Sequence, residues 1–242
     1  MNELLHHAQQ FWLGLQHKPL FGLLLSLCVY QLALMLYQYF NRRVILHPVT
    51  TGSIVIALIL NGLDISYRDY LNGNQLLYFL LGPATVALAI PLHQQFHNIR
   101  KLMLPVLITV AVGAVFAPAI AVGVAAIMGG SDEVLLALYP KSVTTPIALG
   151  IADIIGALPG LTTGVVVFTG VIGSLLSPVV FYLLKLHDPR LQGIVLGLNA
   201  HGVGTARGFE INPTVGAFAS LAMGLTGAFT ALIMPYAVQM IN

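Results

Sequence analysis

Long apolar runs, each closed by charged residues or glycine, organise the first half of the chain. Each run approaches the roughly 20 apolar residues that one helical membrane crossing needs. The second run is interrupted by His47-Pro48. We predict four membrane spans within residues 1–128, at 19–40, 44–62, 75–92 and 102–128.

The second half, residues 129–242, alternates interrupted apolar segments with intact ones. Residues 134–158 carry Pro140 and Pro146 on either side of a polar stretch, and proline cannot continue the helical hydrogen-bond ladder. Residues 191–211 run from an apolar half into a glycine-rich polar stretch. Each broken segment precedes an intact predicted span, at 160–184 and 213–240.

About eight hydrophobic segments predict an all-α polytopic membrane protein with one transmembrane domain over residues 1–242. Corresponding broken segments in two halves indicate the binding site of a transporter. Non-helical backbone at membrane depth persists only beside protein or a water-filled cavity. Two arrangements remain open: re-entrant hairpins that enter from opposite sides as an inverted repeat, and full crossings broken near the midplane.

Composition and charge support this class and exclude others. Hydrophobic residues make up 57% of the chain and charged residues 7%, against about 25% charged in soluble domains. Lipid must therefore cover much of the surface. With a net charge of +2 and no basic stripe, we expect no nucleic-acid partner. Cys28 is the single cysteine, which excludes an internal disulfide and a thiolate metal cluster.

Basic pairs fix the predicted orientation. Arg42-Arg43 and Arg100-Lys101 follow the first and third predicted spans. Positive residues favour the cytoplasmic side of a membrane. We therefore expect these loops inside and the N-terminus outside.

Lys141 is the foremost candidate site residue, because apolar sequence flanks it on both sides. A lysine at membrane depth costs roughly 2.5–3.5 kcal/mol, so it should have a partner or a substrate. A helix beginning near Pro146 would direct free N–H groups at the same stretch. Together with three nearby hydroxyl groups, this predicts an anion site; the structural alternative is a lysine that reaches the membrane interface from a shallow loop. The hydroxyl residues are Ser142, Thr144 and Thr145.

The second polar stretch, residues 199–207, offers further ligand groups. Its glycines permit positive φ and close backbone approach, and the Arg207 guanidinium suits a carboxylate. Small residues here also fit tight helix packing, with Arg207 as a topology charge. The hydrogen-bonding candidates are Asn199, His201 and Thr205.

Three other residues could line the site or couple ions. Thr85 lies between Pro83 and Pro91, in a stretch that fits a structural kink equally well. Asp153 and Glu210 could carry a proton or simply pair with a cation. No hydrolase, zinc or phosphate-loop motif occurs in the sequence. We therefore expect neither an enzyme nor a metal or cofactor.

Three stretches together resemble the LrgB/CidB family over nearly the whole chain. They are PKSVTTPIA (140–148), PATVALAIPL (83–92) and HGVGTAR (201–207). The first is the most specific, and the N-terminal 19 residues are the least characteristic part.

The resemblance implies one of two functions in the bacterial inner membrane. Bacterial members are described as antiholin- or holin-like modulators of murein hydrolase activity and autolysis, acting with a small LrgA/CidA-type membrane protein. The related plastid protein is a glycolate/glycerate translocator, and bacterial relatives are linked to pyruvate uptake. This second description implies a small 2-oxo or 2-hydroxy acid as substrate.

We expect a secondary carrier of small monocarboxylates, because the residues predict an anion site independently of the resemblance. The two polar stretches would form its gates and move together against the other spans, as in elevator-like carriers. Homodimers are common among such carriers, so we expect one. The alternatives are a holin-like oligomer, which needs no binding site, and a cation/proton exchanger that uses Asp153.

Overall fold

The computed structural model describes residues 19–42, 46–87, 89–94 and 96–241. Within these ranges the secondary structure consists of helices and contains no strand. The chain forms two compact units, which meet in sequence between Ala87 and Leu88. An all-helical chain of this composition agrees with the predicted membrane class.

The first unit contains four described helices. Helix α1 packs against both α2 and α3. A side chain at Gly22 of α1 would lie 2.7 Å from the Tyr70 carbonyl oxygen of α3, so glycine permits this close approach. The helices are α1 (Pro19–Tyr39), α2 (Pro48–Gly62), α3 (Tyr67–Gly73) and α4 (Gln75–Ala87).

The second unit contains the remaining eight described helices. The most extensive helix contact within it joins α11 to α12, and α10 also packs on α11. The helices are α5 (Ala89–Gln94), α6 (Phe96–Lys101), α7 (Met103–Ile127), α8 (Asp132–Leu138), α9 (Thr145–Ile155), α10 (Pro159–Leu183), α11 (Pro189–Ile211) and α12 (Pro213–Ile241).

Four helices of the described chain are long and apolar enough to cross a membrane, while α2 and α9 are apolar but shorter. The four long helices begin and end close to the bounds of the corresponding predicted spans. Residues 63–74, which lie between the predicted spans 44–62 and 75–92, contain α3. The Ser66 hydroxyl accepts the Asp69 N–H at 3.1 Å and caps this helix. The four long segments are Leu20–Tyr39, Met103–Ile127, Pro159–Leu183 and Pro213–Met240.

Helix α7 illustrates how these helices divide their surface. Its buried residues recur every four positions, from Val106 and Val110 to Ala114 and Pro118. The opposite face is also apolar and stays exposed, with Phe116 62% exposed. A helix that is apolar on every face belongs in a core or a membrane, so this exposed face is suited to lipid.

Glycines allow α11 and α12 to pack closely. A side chain at Gly193 would lie 2.7 Å from the Phe218 Cβ atom, and one at Gly197 would overlap the Ala219 carbonyl oxygen. A side chain at Gly208 would lie 3.2 Å from the Gly216 Cα atom. This is the small-residue packing that the sequence offered as an alternative for the glycine-rich segment.

Asp188 defines the start of α11. Its carboxylate accepts the Arg190 backbone N–H at 2.9 Å, and the Arg190 guanidinium pairs with it at 2.6 Å. The hydrogen bond from this guanidinium lowers the pKa of the Asp188 carboxyl below its ordinary value. The connection between α10 and α11 therefore ends in a defined helix cap.

Candidate functional site

The first break in the helices lies between α8 and α9, at residues 139–144, where the sequence predicted it. Turn hydrogen bonds replace the helical ladder, from the Lys141 N–H to the Leu138 carbonyl and from the Val143 N–H to the Pro140 carbonyl. Helix α9 resumes at Thr145 with a proline in its first turn. Its N-cap residue, Thr144, makes no side-chain capping hydrogen bond, so first-turn N–H groups remain available to a ligand.

Lys141 lies half-buried within this first break. Its ammonium donates to the buried Ser142 hydroxyl at 3.3 Å. Within the described ranges, no carboxylate forms an ion pair with it. Thr144 and Thr145, both half-buried, flank the start of α9. A cation, several hydroxyls and a helix N-terminus thus occur within five consecutive residues.

The second break lies inside α11, at His201, whose φ of 37° and ψ of −121° are not helical. The sequence had suggested that glycines would supply the positive φ of this break, and that interpretation is wrong: neither Gly202 nor Gly204 has one. Gly204 instead permits close packing, because a side chain there would overlap the Leu196 carbonyl oxygen. A non-glycine residue at positive φ persists only where its surroundings hold it.

His201 is held by contacts with α10. Its imidazole is buried, and Nε2 lies 3.0 Å from the Val166 carbonyl oxygen. A carbonyl can only accept, so Nε2 carries the hydrogen and donates it. A side chain at Gly170, one turn further along α10, would lie 2.7 Å from the His201 Cε1 atom. The glycine therefore makes room for the ring.

The two breaks converge on this part of α10. Val143 of the first break packs in one hydrophobic cluster with Val166, whose carbonyl binds His201 of the second break. Lys141 and His201, which are 60 positions apart in the sequence, thus lie on segments that contact the same part of α10.

Asn199 and Thr205 direct their hydrogen bonds elsewhere. The Asn199 amide donates to the Val195 carbonyl at 3.0 Å within α11. The buried Thr205 hydroxyl donates to the Met223 sulfur of α12 at 3.6 Å. Both residues flank the second break, and neither of these bonds reaches the Lys141 segment.

Arg207 forms an ion pair with Glu210 of the same helix, at 2.7 Å between Nη1 and Oε2. This is the simple pairing that the sequence offered for Glu210. Asp153 lies in α9, where its half-helix was predicted, and its side chain is exposed. The side chain of Thr85 lies outside the described residues, so its predicted lining role stays a prediction.

Sequence reasoning missed a set of buried hydroxyls on the two helices that contact the breaks. Thr162 lies one turn before Val166 on α10. Thr230 lies on α12, one turn before Met234, and Met234 belongs to the same hydrophobic cluster as Val143. Small or hydroxyl residues at helical spacing were the available signal. The hydroxyls without a partner among the described residues are Thr162, Ser174, Thr226 and Thr230.

A separate cavity of about 710 Å³ lies within the first unit, between α1, α2, α3 and α4. Its walls are largely apolar, and a hydrogen-bonded cluster of Ser26, Tyr70 and Asn74 forms part of them. No charged side chain is among its lining residues. This cavity therefore lacks the cation that an anion site needs.

Comparisons with known proteins agree in one family. The family model described as the LrgB-like family matches residues 26–240. A Bacillus subtilis (strain 168) protein named "Uncharacterized protein YwbG" is 32% identical over 215 residues, which cover 89% of this chain and 95% of that protein.

Relatives from two other bacilli carry a functional name. Proteins named "Antiholin-like protein LrgB" from Bacillus mycoides (strain KBAB4) and Bacillus cereus (strain B4264) are each 29% identical over 217 residues, covering 90% of this chain and 94% of the relative. No solved structure matches the chain significantly. The family match begins within α1 and spans both helix breaks and the long apolar helices α7 and α10, and the chain therefore belongs to the LrgB-like family.

Proposed function

We propose that this protein is a secondary carrier of small monocarboxylates such as glycolate, glycerate or pyruvate. The observation that carries the proposal is Lys141, a half-buried cation without an acidic partner among the described residues. A buried charge is stable only when it is paired or solvated. A carboxylate would supply the missing partner.

The groups around Lys141 suit both the carboxylate of such a substrate and its hydroxyl or oxo group. The uncapped N-terminus of α9 adds N–H groups and a partial positive charge, and the Ser142 hydroxyl lies beside the ammonium. A buried hydroxyl without a hydrogen-bond partner destabilises the protein by about 1–3 kcal/mol. A substrate hydroxyl or oxo group, or water that enters with it, would satisfy the buried hydroxyls of α10 and α12.

We assign the substrate charge to Lys141 rather than to Arg207. Glu210 already compensates the guanidinium of Arg207 at 2.7 Å. Truncating one member of such a pair leaves the other charge uncompensated. Arg207 therefore stabilises the half of α11 that follows the second break, and Lys141 recognises the carboxylate.

Access to this site would alternate between the two sides of the bacterial inner membrane, with the N-terminus outside. The two breaks share contacts with α10, so we propose that they move as one block, in the manner of an elevator. The protein would act without enzymatic chemistry, as a homodimer in the lipid bilayer, and with a small LrgA/CidA-like membrane partner.

A second candidate function rests on the names of the relatives, two of which are "Antiholin-like protein LrgB". Oligomers that change membrane permeability would explain such a name. That function requires no buried cation and no pair of helix breaks. We therefore rank it below transport.

Glycolate flux into proteoliposomes separates the two functions. A carrier gives uptake that saturates with glycolate concentration and is inhibited by pyruvate, because one site binds both acids. A permeability modulator instead releases unrelated solutes such as a trapped neutral dye. Dye leak without saturable glycolate uptake would contradict the carrier.

Gly170→Ala tests whether the position of His201 matters for this flux. The added methyl group would lie 2.7 Å from the His201 ring, so the ring must shift, which disturbs its hydrogen bond to the Val166 carbonyl. Displacements of this size near a binding centre cost up to about a hundredfold in rate, and we expect glycolate uptake to fall at least about tenfold.

The matched control is Gly164→Ala on the same helix, where an added methyl group meets no atom within 4 Å. It should retain the wild-type rate. Equal rates for both variants would show that the ring position is irrelevant to transport.

A further inference from the structure

His201 is a buried titratable group with one nitrogen already committed. Its Nε2–H donates to the Val166 carbonyl, which leaves Nδ1 as the nitrogen that can take up a proton. That hydrogen bond persists in both protonation states, because the protonated ring still donates from Nε2. Protonation therefore adds a charge and a new donor at Nδ1 without breaking the contact that holds the ring.

The first break contacts the same part of α10 as His201: Val143 packs in one cluster with Val166, and the Val166 carbonyl accepts the hydrogen bond from His201. Lys141 is the charged residue of that break. The helices that pack on α11, which are α7, α10 and α12, carry no acidic or basic residue. Their titratable side chains are Tyr182 and Tyr236, which are 83% and 70% exposed. On α11 itself, Arg207 and Glu210 pair with each other.

We propose that His201 couples carboxylate transport to protons: it binds a proton at Nδ1 when a carboxylate binds at Lys141, and it releases the proton when the carboxylate leaves. This inference rests on the proposed carrier function and specifies its coupling ion. The proton comes from solvent on the loading side and returns to solvent on the other side. No bond other than the Nδ1–H bond forms or breaks.

The coupling follows from charge. In the empty site the Lys141 ammonium repels a second positive charge on the imidazole, and a poorly solvated environment strengthens that repulsion. A bound carboxylate cancels the ammonium and can accept a hydrogen bond from the protonated Nδ1. Each ligand therefore raises the affinity for the other by the same factor. The site also carries one net positive charge both when empty and when loaded with anion and proton.

The sign of the pH dependence follows directly. The loaded site binds one more proton than the empty site, so acidification favours loading. Across the range where the proton is taken up, glycolate affinity should rise about tenfold for each pH unit lowered. Calorimetry in two buffers with different ionisation enthalpies should detect about one proton taken up per glycolate bound.

His201→Gln is the informative variant. The glutamine amide can still donate to the Val166 carbonyl, but it cannot take up a proton. We expect weakened glycolate binding at low pH, loss of most of the pH dependence, and no proton uptake. His187→Gln, at an exposed position between α10 and α11, should retain both wild-type values.

Each outcome of this experiment is decisive. Saturable glycolate binding by the wild type without proton uptake would overturn the role of His201 and leave the carrier standing. Undiminished proton uptake by His201→Gln would do the same. Absence of glycolate binding to the wild type would overturn the carrier function itself. Because the wild-type calorimetry stands alone, the inference stays testable if the variant fails to fold.

Discussion

Lys141→Ala is expected to abolish saturable glycolate uptake while the protein still reaches the membrane. The substitution removes the half-buried cation that we assign to the substrate carboxylate. Truncating one partner of a buried charge pair costs about 2–5 kcal/mol. Glycolate affinity should therefore fall at least about thirtyfold. Initial uptake rates in proteoliposomes, normalised to inserted protein, measure this effect.

Lys101→Ala provides the matched control, because Lys101 ends α6 with an exposed side chain. Loss of that lysine removes the same net charge from the protein and leaves the first break intact. Wild-type uptake by Lys101→Ala is expected. Full uptake by Lys141→Ala at saturating and at low glycolate would refute the site assignment.

Gly197→Ala is expected to destabilise the second unit more than Gly170→Ala or Gly224→Ala. The added methyl group would overlap the carbonyl oxygen of Ala219, and backbone cannot rotate away as a flexible side chain can. Overpacking of this kind costs about 1–3 kcal/mol, and occasionally more. The midpoint of thermal unfolding in detergent, followed by helical circular dichroism, should fall clearly.

Gly224→Ala distinguishes steric overlap from a general effect of glycine replacement. Gly224 lies exposed on α12, and an added methyl group there meets no atom within 4 Å. Alanine is the better helix former by up to about 1 kcal/mol, so the midpoint should stay constant or rise. A similar decrease in both variants would contradict close packing at Gly197.

Much of the helical layout follows from local chemistry that the sequence displays. Apolar length determines where α1, α7, α10 and α12 can run. The pair Pro140 and Pro146 prevents a continuous helix, and the structure has a break between them. Lys141 was recognisable because an isolated cation in apolar sequence needs compensation.

The second break depends on tertiary contacts, which local chemistry does not reveal. Glycines near position 202 suggested backbone freedom, yet His201 adopts the unusual conformation, since a carbonyl on α10 holds its ring. The distant helix supplies both Val166 and the space at Gly170. No pattern within 199–207 could specify that partner.

Some polar contacts of the site were predictable from the sequence, and others were not. Spacing of three residues made an Arg207–Glu210 pair accessible to sequence reasoning, and the structure contains it. The buried hydroxyls of Thr162 and Thr230 were overlooked because threonine in an apolar helix usually bonds to its own backbone. Their lack of such partners became visible only when the helices packed.

The most direct test compares the binding of glycolate and of its uncharged analogue glycolamide to the purified protein. It shows whether the first break recognises a negative charge. Isothermal titration should show saturable glycolate binding that pyruvate displaces, and no binding of glycolamide at the same concentrations. Equal binding of the acid and the amide, or of neither, would contradict a carboxylate site at Lys141.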